Sequence, residues 1–478
     1  MKKVSGQSPK TKTPHKPALL PGARPAPRPS PAEFQKLGKG LRDACPRESH
    51  ATWKPGSHRP DPLDLLAQSN KGRIANLIPI RMGRMVRTPF TFYRGAALGM
   101  AADLSTTPAS GIRVQACGDC HLMNFGAFAT PERKVIFDVN DMDETLPAPW
   151  EWDVKRLAAS VVVACRNNGF TESAARDATL ACVRSYREHM AEYSRMSVLE
   201  VWYSSVEVKK TLSTISDDQA RRRFEKRFEA VRQRTVLDHD FPKLAAMAGE
   251  APRIKDNPPL VYHPTPEGGE SLIDRTWNGL ATYRDSLQED RRTLVDRYQI
   301  KDVAVKVVGV GSVGTFCGIL LMMASEDDPL FLQIKEARPS VLEAYAGKSQ
   351  YANHGQRIVN GYRLIQSASD IFLGWTQGEL GRHFYVRQLR DMKISALVDL
   401  FTPSVMSDYA AACGWTLARA HARSGAPAHI SGYLGKSDTF DKAIAKFAAA
   451  YADQNERDHE VLRKAVLDGQ IEVVIEPE

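Results

Sequence analysis

The strongest constraint on the fold is a change of pattern past the middle of the chain. Three short apolar runs follow one another with only turn residues between them: Val303-Ala-Val-Lys-Val-Val308, Thr315 to Met323, and Leu330-Phe-Leu-Gln-Ile-Lys335. Runs of this length, rich in β-branched residues and bounded by glycine, read as strands. Long helix-forming stretches lie on both sides. At 478 residues the chain is long enough for two or three lobes around real cores. The expected fold class is therefore α+β, with a β-rich lobe over 266–395, a mostly helical lobe over 61–265, and C-terminal helices over 396–478 that return to the helical lobe.

The connection between the first two strands is Gly309-Val-Gly-Ser-Val-Gly314. A GxGxxG alone is weak evidence, because it also marks dinucleotide sites and ordinary turns. In a dinucleotide site the last glycine opens a helix, whereas here an apolar strand follows and a lysine, Lys335, ends the third strand. A glycine hairpin with a lysine two strands on is an arrangement that covers the phosphates of ATP. Ser340 to Tyr345 and Gln356 to Ser369 read as helices, and Glu343 on the first is the expected carboxylate partner of Lys335. His383 to Leu389 reads as a further strand.

About two hundred residues earlier stands Cys117-Gly-Asp-Cys-His-Leu-Met-Asn-Phe-Gly126, followed by Val135-Ile-Phe-Asp138. It has an Asp, an Asn five residues on, and a second Asp at a strand end, which is the spacing of a phosphoryl-transfer site. One carboxylate orients the attacking hydroxyl, while the amide oxygen and the other carboxylate hold Mg²⁺. Ile112 to Cys117 reads as the strand entering this loop. Asp153 is expected to cap the helix Val154 to Asn167. The stretch 171–250 reads as charged helices, Pro252 to Pro266 as a connector, and Tyr409 to Arg423 and Phe440 to Leu467 as strong helices.

The chain carries 65 Lys+Arg against 56 Asp+Glu, but residues 1–60 alone hold 13 against 3 and also 11 of the 29 prolines. The body is thus close to neutral, which argues against a basic nucleic-acid groove. Residues 1–60 read as a disordered basic tail, with at most weak contact to acidic surfaces. No run approaches the ~20 apolar residues of a membrane-spanning helix and no apolar leader precedes the prolines, so the expected location is cytoplasmic, with no membrane partner. Seven cysteines make no disulfide framework. Cys117-x-x-Cys120-His121 matches a haem-attachment pattern, but without an export signal the two cysteines read as occupants of a buried strand-to-loop corner.

Gly118-Asp119-x-His121-x-x-Asn124, Phe137-Asp138 and Trp152-Asp153-Val-Lys-Arg-Leu157 resemble the aminoglycoside and choline phosphotransferase type of protein-kinase-like enzyme. Leu417-Ala-Arg-Ala-His421-Ala resembles the helix that in those enzymes shortly precedes the catalytic loop, yet here it lies near the C-terminus. The order resembles a two-lobed kinase-like fold cut and rejoined by circular permutation. From Arg94-Gly95 through Leu332-Gln-Ile-Lys-Glu-Ala337 to Ala418-Arg-Ala-His-Ala-Arg423 the chain also resembles the uncharacterised bacterial family DUF2252. Cys117 departs from the phosphotransferase pattern, where a His commonly precedes the Gly-Asp.

The kinase-like resemblance implies ATP and Mg²⁺ as cofactors. Asp119 orients or deprotonates an acceptor hydroxyl, and Asn124 and Asp138 hold the metal, with Asp141 as the fallback in the acidic cluster. Gly309, Gly311, Ser312 and Gly314 admit the phosphates to backbone N–H groups, Lys335 supplies a point charge, and Glu343 supports it. His121 and His421 read as structural, and Arg81, Arg84, Arg87 and Arg94 either line an anionic acceptor site or form a salt-bridged face. The expected function is ATP-dependent phosphoryl transfer to an acceptor, a small molecule or a protein, that the sequence does not name. A non-catalytic nucleotide-responsive module and adenylyl transfer from the same site are the alternatives.

Overall fold

The computed structural model describes residues 28–476 apart from 214, 234–235, 250, 266–270, 379–380 and 390–391. It is a mixed α+β structure. The largest sheet has six strands, in the order Gly374–Gln377, His383–Gln388, Pro329–Ala337, Cys317–Met323, Gln299–Lys306 and Val261–Tyr262, and every neighbouring pair is antiparallel. The three apolar runs of the sequence are its consecutive central strands. Their inward residues, including Val303, Leu320 and Leu332, form one core layer with Val386 of the neighbouring strand against the helix Leu272–Asp285. The glycine segment is the turn between the strands ending at Lys306 and starting at Cys317. Register places Lys335 opposite Cys317 on one side and Tyr385 on the other.

The larger core is helical. The helix Trp150–Asn167 is buried over nearly its whole length and packs beside Glu172–Tyr193, Pro403–Ser424 and Thr439–Leu467. The two helices near the C-terminus thus complete the core begun before residue 200. Two small sheets rest on this core: Arg113–Ala116 with Leu146–Pro149, and Lys393–Ser395, Phe125–Ala129, Val135–Val139 in that order. The loop bearing Asp119 joins one small sheet to the other.

Three expectations need correction. Residues 1–27 of the expected tail lie outside the described residues, but Pro31–Ala44 is a helix. A capping box between Ser30 and Glu33 starts it, with proline in its first turn, a signature readable as Ser30-Pro-Ala-Glu33. The helix docks on Pro427–Leu434 so closely that a Cβ on Gly38 would stand 2.1 Å from the His429 carbonyl oxygen, and Arg42 donates to the Tyr433 carbonyl at 2.8 Å. Tertiary contact thus offsets a local composition that disfavours order. The connector after Pro252 contributes the strands Ala251–Ile254 and Val261–Tyr262. Asp153 does not cap a helix, because that helix begins three residues earlier at Trp150. No helix among the described residues is long and apolar enough to cross a membrane.

Gly38→Ala is expected to lower stability by about 1–3 kcal/mol, since backbone rather than a yielding side chain fills the space. Chemical denaturation reads the loss, and limited proteolysis is expected to open residues 45–60 to cleavage at the same time.

Candidate functional site

The loop after Ala116 is shaped by one buried carboxylate. Asp153 accepts the backbone N–H groups of Cys117 at 2.6 Å and Gly118 at 3.0 Å, while His421 stands 3.2 Å from the same carboxylate and 2.9 Å from the Tyr186 hydroxyl. Both backbone groups are buried, so satisfying them there fixes the chain direction into Asp119. Gly118 has φ +82°, and a Cβ there would lie 2.3 Å from the Glu144 carbonyl oxygen. Only glycine meets both conditions. Cys117 and Cys120 are wholly buried, and burial, helped at Cys117 by the Asp153 carboxylate, leaves the Cys117 thiol raised to about 11 despite its hydrogen bond with Cys120. They occupy the buried corner beside Asp153, their thiols and its carboxylate lying within 4.8 Å of one another.

Asp119 keeps a quarter of its side chain exposed. One carboxylate oxygen accepts from Arg156 Nε at 2.8 Å and from the same guanidinium's Nη2, and the other lies 3.7 Å from His121. Burial holds the His121 imidazole down at about 4, against the pull of Asp119, so it is neutral near pH 7. Arg156 also donates to the Tyr93 carbonyl at 3.2 Å, and the Tyr93 hydroxyl donates to the Arg156 carbonyl at 2.6 Å. The sequence reading quoted Arg156 within a motif without a role. Its position three residues after Asp153 on one helix, hence on one face, was the available signal.

Asn124 joins the two halves of the site. Its Nδ2 donates to the Asp119 carbonyl at 3.0 Å and to the Asp141 carbonyl at 2.9 Å. From the six-stranded sheet, Lys335 reaches the same place: its ammonium lies 3.0 Å from Asp141 and 2.6 Å from Asp143. Tyr385, opposite Lys335 in the sheet, donates its hydroxyl to Asp143 at 2.6 Å. Lys335 is 4% exposed in its side chain, whereas Asp141 is 41% exposed. The carboxylate therefore reaches solvent while the lysine is enclosed. Burial raises the Asp141 carboxyl, but Lys335 and Arg387 outweigh that and hold it well below the usual carboxylate range. Burial and the neighbouring Asp141 charge push Asp143 up, and Lys335 itself is raised, the two carboxylates overcoming its burial.

Two sequence-derived site residues are elsewhere. Asp138 is fully buried and saturated: Arg419 pairs with it at 2.6 Å, and the Ser367 N–H and hydroxyl donate to it at 2.9 and 3.0 Å. It ties a strand to the helix Pro403–Ser424 and has no solvent-exposed face. The spacing rule chose Asp138 because it ends the apolar run, but the strand continues to Val139 and the aspartate that meets Lys335 comes only at Asp141. Glu343 accepts from the Ser340 N–H at 3.2 Å and lies 3.7 Å from His354. Asp141 and Asp143 stand as the carboxylate partners of Lys335 in its place.

The glycine turn packs on the segment 73–95. The Ile74 N–H donates to the Gly314 carbonyl at 2.7 Å, Arg73 donates to the Val313 carbonyl at 2.5 Å, and Arg84 donates to the Gly309 carbonyl. The Ser312 hydroxyl bonds within the turn, to the Val308 carbonyl at 2.8 Å. Arg84 also pairs with Glu476 at 2.5 and 2.8 Å, and Arg87 donates to the Glu476 carbonyl. Arg81, 1% exposed, donates to Asn70 at 2.7 Å and the Gly95 carbonyl at 2.9 Å.

These features define a polar cluster in which a lysine from the six-stranded sheet meets carboxylates from a loop of the helical core. The family described as an uncharacterised protein conserved in bacteria (DUF2252) matches residues 73–465, and the chain belongs to it. No curated protein and no solved structure matches the chain.

Asp138→Asn is expected to destabilise the fold by about 3–5 kcal/mol, because it leaves Arg419 as an uncompensated buried charge. Urea denaturation measures this. Glu144 supplies a pH test: burial raises its carboxyl to about 7, against the Val341 N–H and Arg357, which favour the charged form. Between its ordinary value of 4.5 and about 7 the folded chain holds a proton that the unfolded chain has released. The associated stability is thus full below the lower value and lost as pH rises through the upper. Glu144→Gln is expected to flatten that decline and to gain on the wild type most above about pH 7, read from urea midpoints across pH.

Proposed function

We propose that the chain is an ATP-dependent, Mg²⁺-requiring phosphotransferase of kinase-like type, its two lobes joined in circularly permuted order. The observation that carries this reading is the contact of Lys335 with Asp141, in the same cluster where the Asn124 amide ties the Asp119 and Asp141 carbonyls together. Residues nearly two hundred positions apart thereby supply the lysine, the metal-binding pair and the acidic base that phosphoryl transfer uses.

Under this reading the metal ligands are Asp141, through its exposed carboxylate, and Asn124, through the amide oxygen that its two Nδ2 bonds leave over. Asp138 plays no part in metal binding. Asp119, held by Arg156, accepts the proton of the acceptor hydroxyl as that oxygen bonds to the γ-phosphorus. The bond from phosphorus to the β-phosphate oxygen breaks, and its electron pair leaves on ADP. Lys335 would lie beside the phosphates once a divalent cation takes up part of the Asp141 and Asp143 charge. The glycine turn, one strand away from Lys335, would cover them.

Mg-ATP is expected to raise the melting temperature of the wild type, and label from the γ-phosphate is expected to appear on an acceptor or on water. Asp119→Asn should keep the Mg-ATP shift and lose turnover by about 10³-fold. Asp141→Asn should lose the Mg²⁺-dependent part of the shift. A wild-type chain that neither binds nor turns over Mg-ATP would end the proposal, and a shift without turnover, unchanged in Asp119→Asn, would identify a nucleotide-binding module instead.

A further inference from the structure

Four arginines in the segment 81–94 were equal candidates for binding an anion, and their partners now separate them. Arg81 is spent on Asn70 and the Gly95 carbonyl, and Arg84 and Arg87 on Glu476. Arg94 differs: Nε is buried without a hydrogen-bond partner in both Arg81 and Arg94, but Arg81 bonds through its other two nitrogens, whereas the Arg94 side chain makes no hydrogen bond and no ion pair among the described residues. A guanidinium has five donors and no way to shed its charge, so leaving it unpaired in a half-buried place costs free energy that a bound anion would recover.

The backbone of Arg94 is clamped in position. On one side the Tyr93 carbonyl accepts from Arg156, the guanidinium that also holds Asp119. On the other, the Gly95 carbonyl accepts from Arg81 at 2.9 Å. Its own carbonyl faces the glycine turn, and a Cβ on Gly311 would stand 3.2 Å from it. Arg94 therefore lies where the turn from one lobe meets the Asp119 loop of the other. The charged groups acting on its side chain are Asp119, Asp399 and Arg84, the two carboxylates opposing the effect of burial. No carboxylate forms a close pair with it, although both attract it.

We propose that Arg94 is a catalytic residue that grips the transferring γ-phosphoryl group between Gly311 and Asp119, neutralising the charge that spreads over its oxygens. The assignment rests on the phosphotransferase reading and adds a residue that neither the Asp119 loop nor the glycine turn supplies. An arginine contributed by the same chain is a known means of stabilising such a transition state, and the planar fork of the guanidinium suits two phosphate oxygens at once.

The test compares wild type, Arg94→Ala and Arg94→Lys for Mg-ATP hydrolysis and, by calorimetry, for Mg-ATP and Mg-ADP affinity, with circular dichroism and melting temperature confirming the fold. Turnover is expected to fall about 10³-fold in Arg94→Ala and less in Arg94→Lys. Mg-ADP affinity should stay unchanged while the preference for Mg-ATP disappears, and added guanidinium ion should restore part of the Arg94→Ala turnover. Wild-type turnover undiminished in Arg94→Ala would overturn the assignment and leave the phosphotransferase reading intact. Equal loss of both affinities with a lowered melting temperature and no rescue would also overturn it, making Arg94 structural. A wild type inert toward Mg-ATP would end both readings.

Discussion

The contact on which the site depends is one buried ammonium shared by two carboxylates. Lys335 comes from the middle of the six-stranded sheet and Asp141 and Asp143 from a loop on the helical core, so the pairing fixes how that strand stands against that loop. A lysine this enclosed keeps its charge because opposite charges lie within hydrogen-bond distance, and the lysine in turn favours the charged form of both carboxylates against their burial. Arg387 adds a second cation from the neighbouring strand through the Asn140 carbonyl and the Tyr362 hydroxyl, so two cations stand against two carboxylates. Of these carboxylates Asp141 is the more exposed to solvent.

The Asp119 loop is rigid for a different reason. Its backbone direction is held by Asp153 from below, its side chain by Arg156 from the same helix, and its far end by the Asn124 amide. Three side chains, two from one helix and one from the loop's own end, therefore hold a loop only a few residues long. Orientation set this way needs no ligand to create it, which is the condition for a carboxylate to act on a substrate without reorganising first.

Much of this was legible in the residues. The three central strands, the glycine turn between the first two, and the helices ending near Arg423 and Leu467 follow from apolar periodicity and from breakers at their ends. Asp119, Asn124 and Lys335 were nameable from motif and strand context, with Asp141 only the fallback to Asp138, and the contacts link these four. What spacing could not decide was which of two aspartates three positions apart faces outward. Asp138 and Asp141 differ in role because Arg419, from a helix 281 residues away, captures the first and Lys335 the second. The helix Pro31–Ala44 escaped for a related reason: its local composition disfavours order, and its stability comes from a close backbone approach to Pro427–Leu434.

The sequence by itself determined the kinds of element and the inventory of chemical groups, because helix and strand periods, glycine turns and capping residues act over a few neighbours. Only the tertiary structure decided which carboxylate joins Lys335, which arginines are occupied and which one is left over. Those outcomes turn on charge pairing and burial between segments separated by hundreds of residues, and no local pattern encodes them.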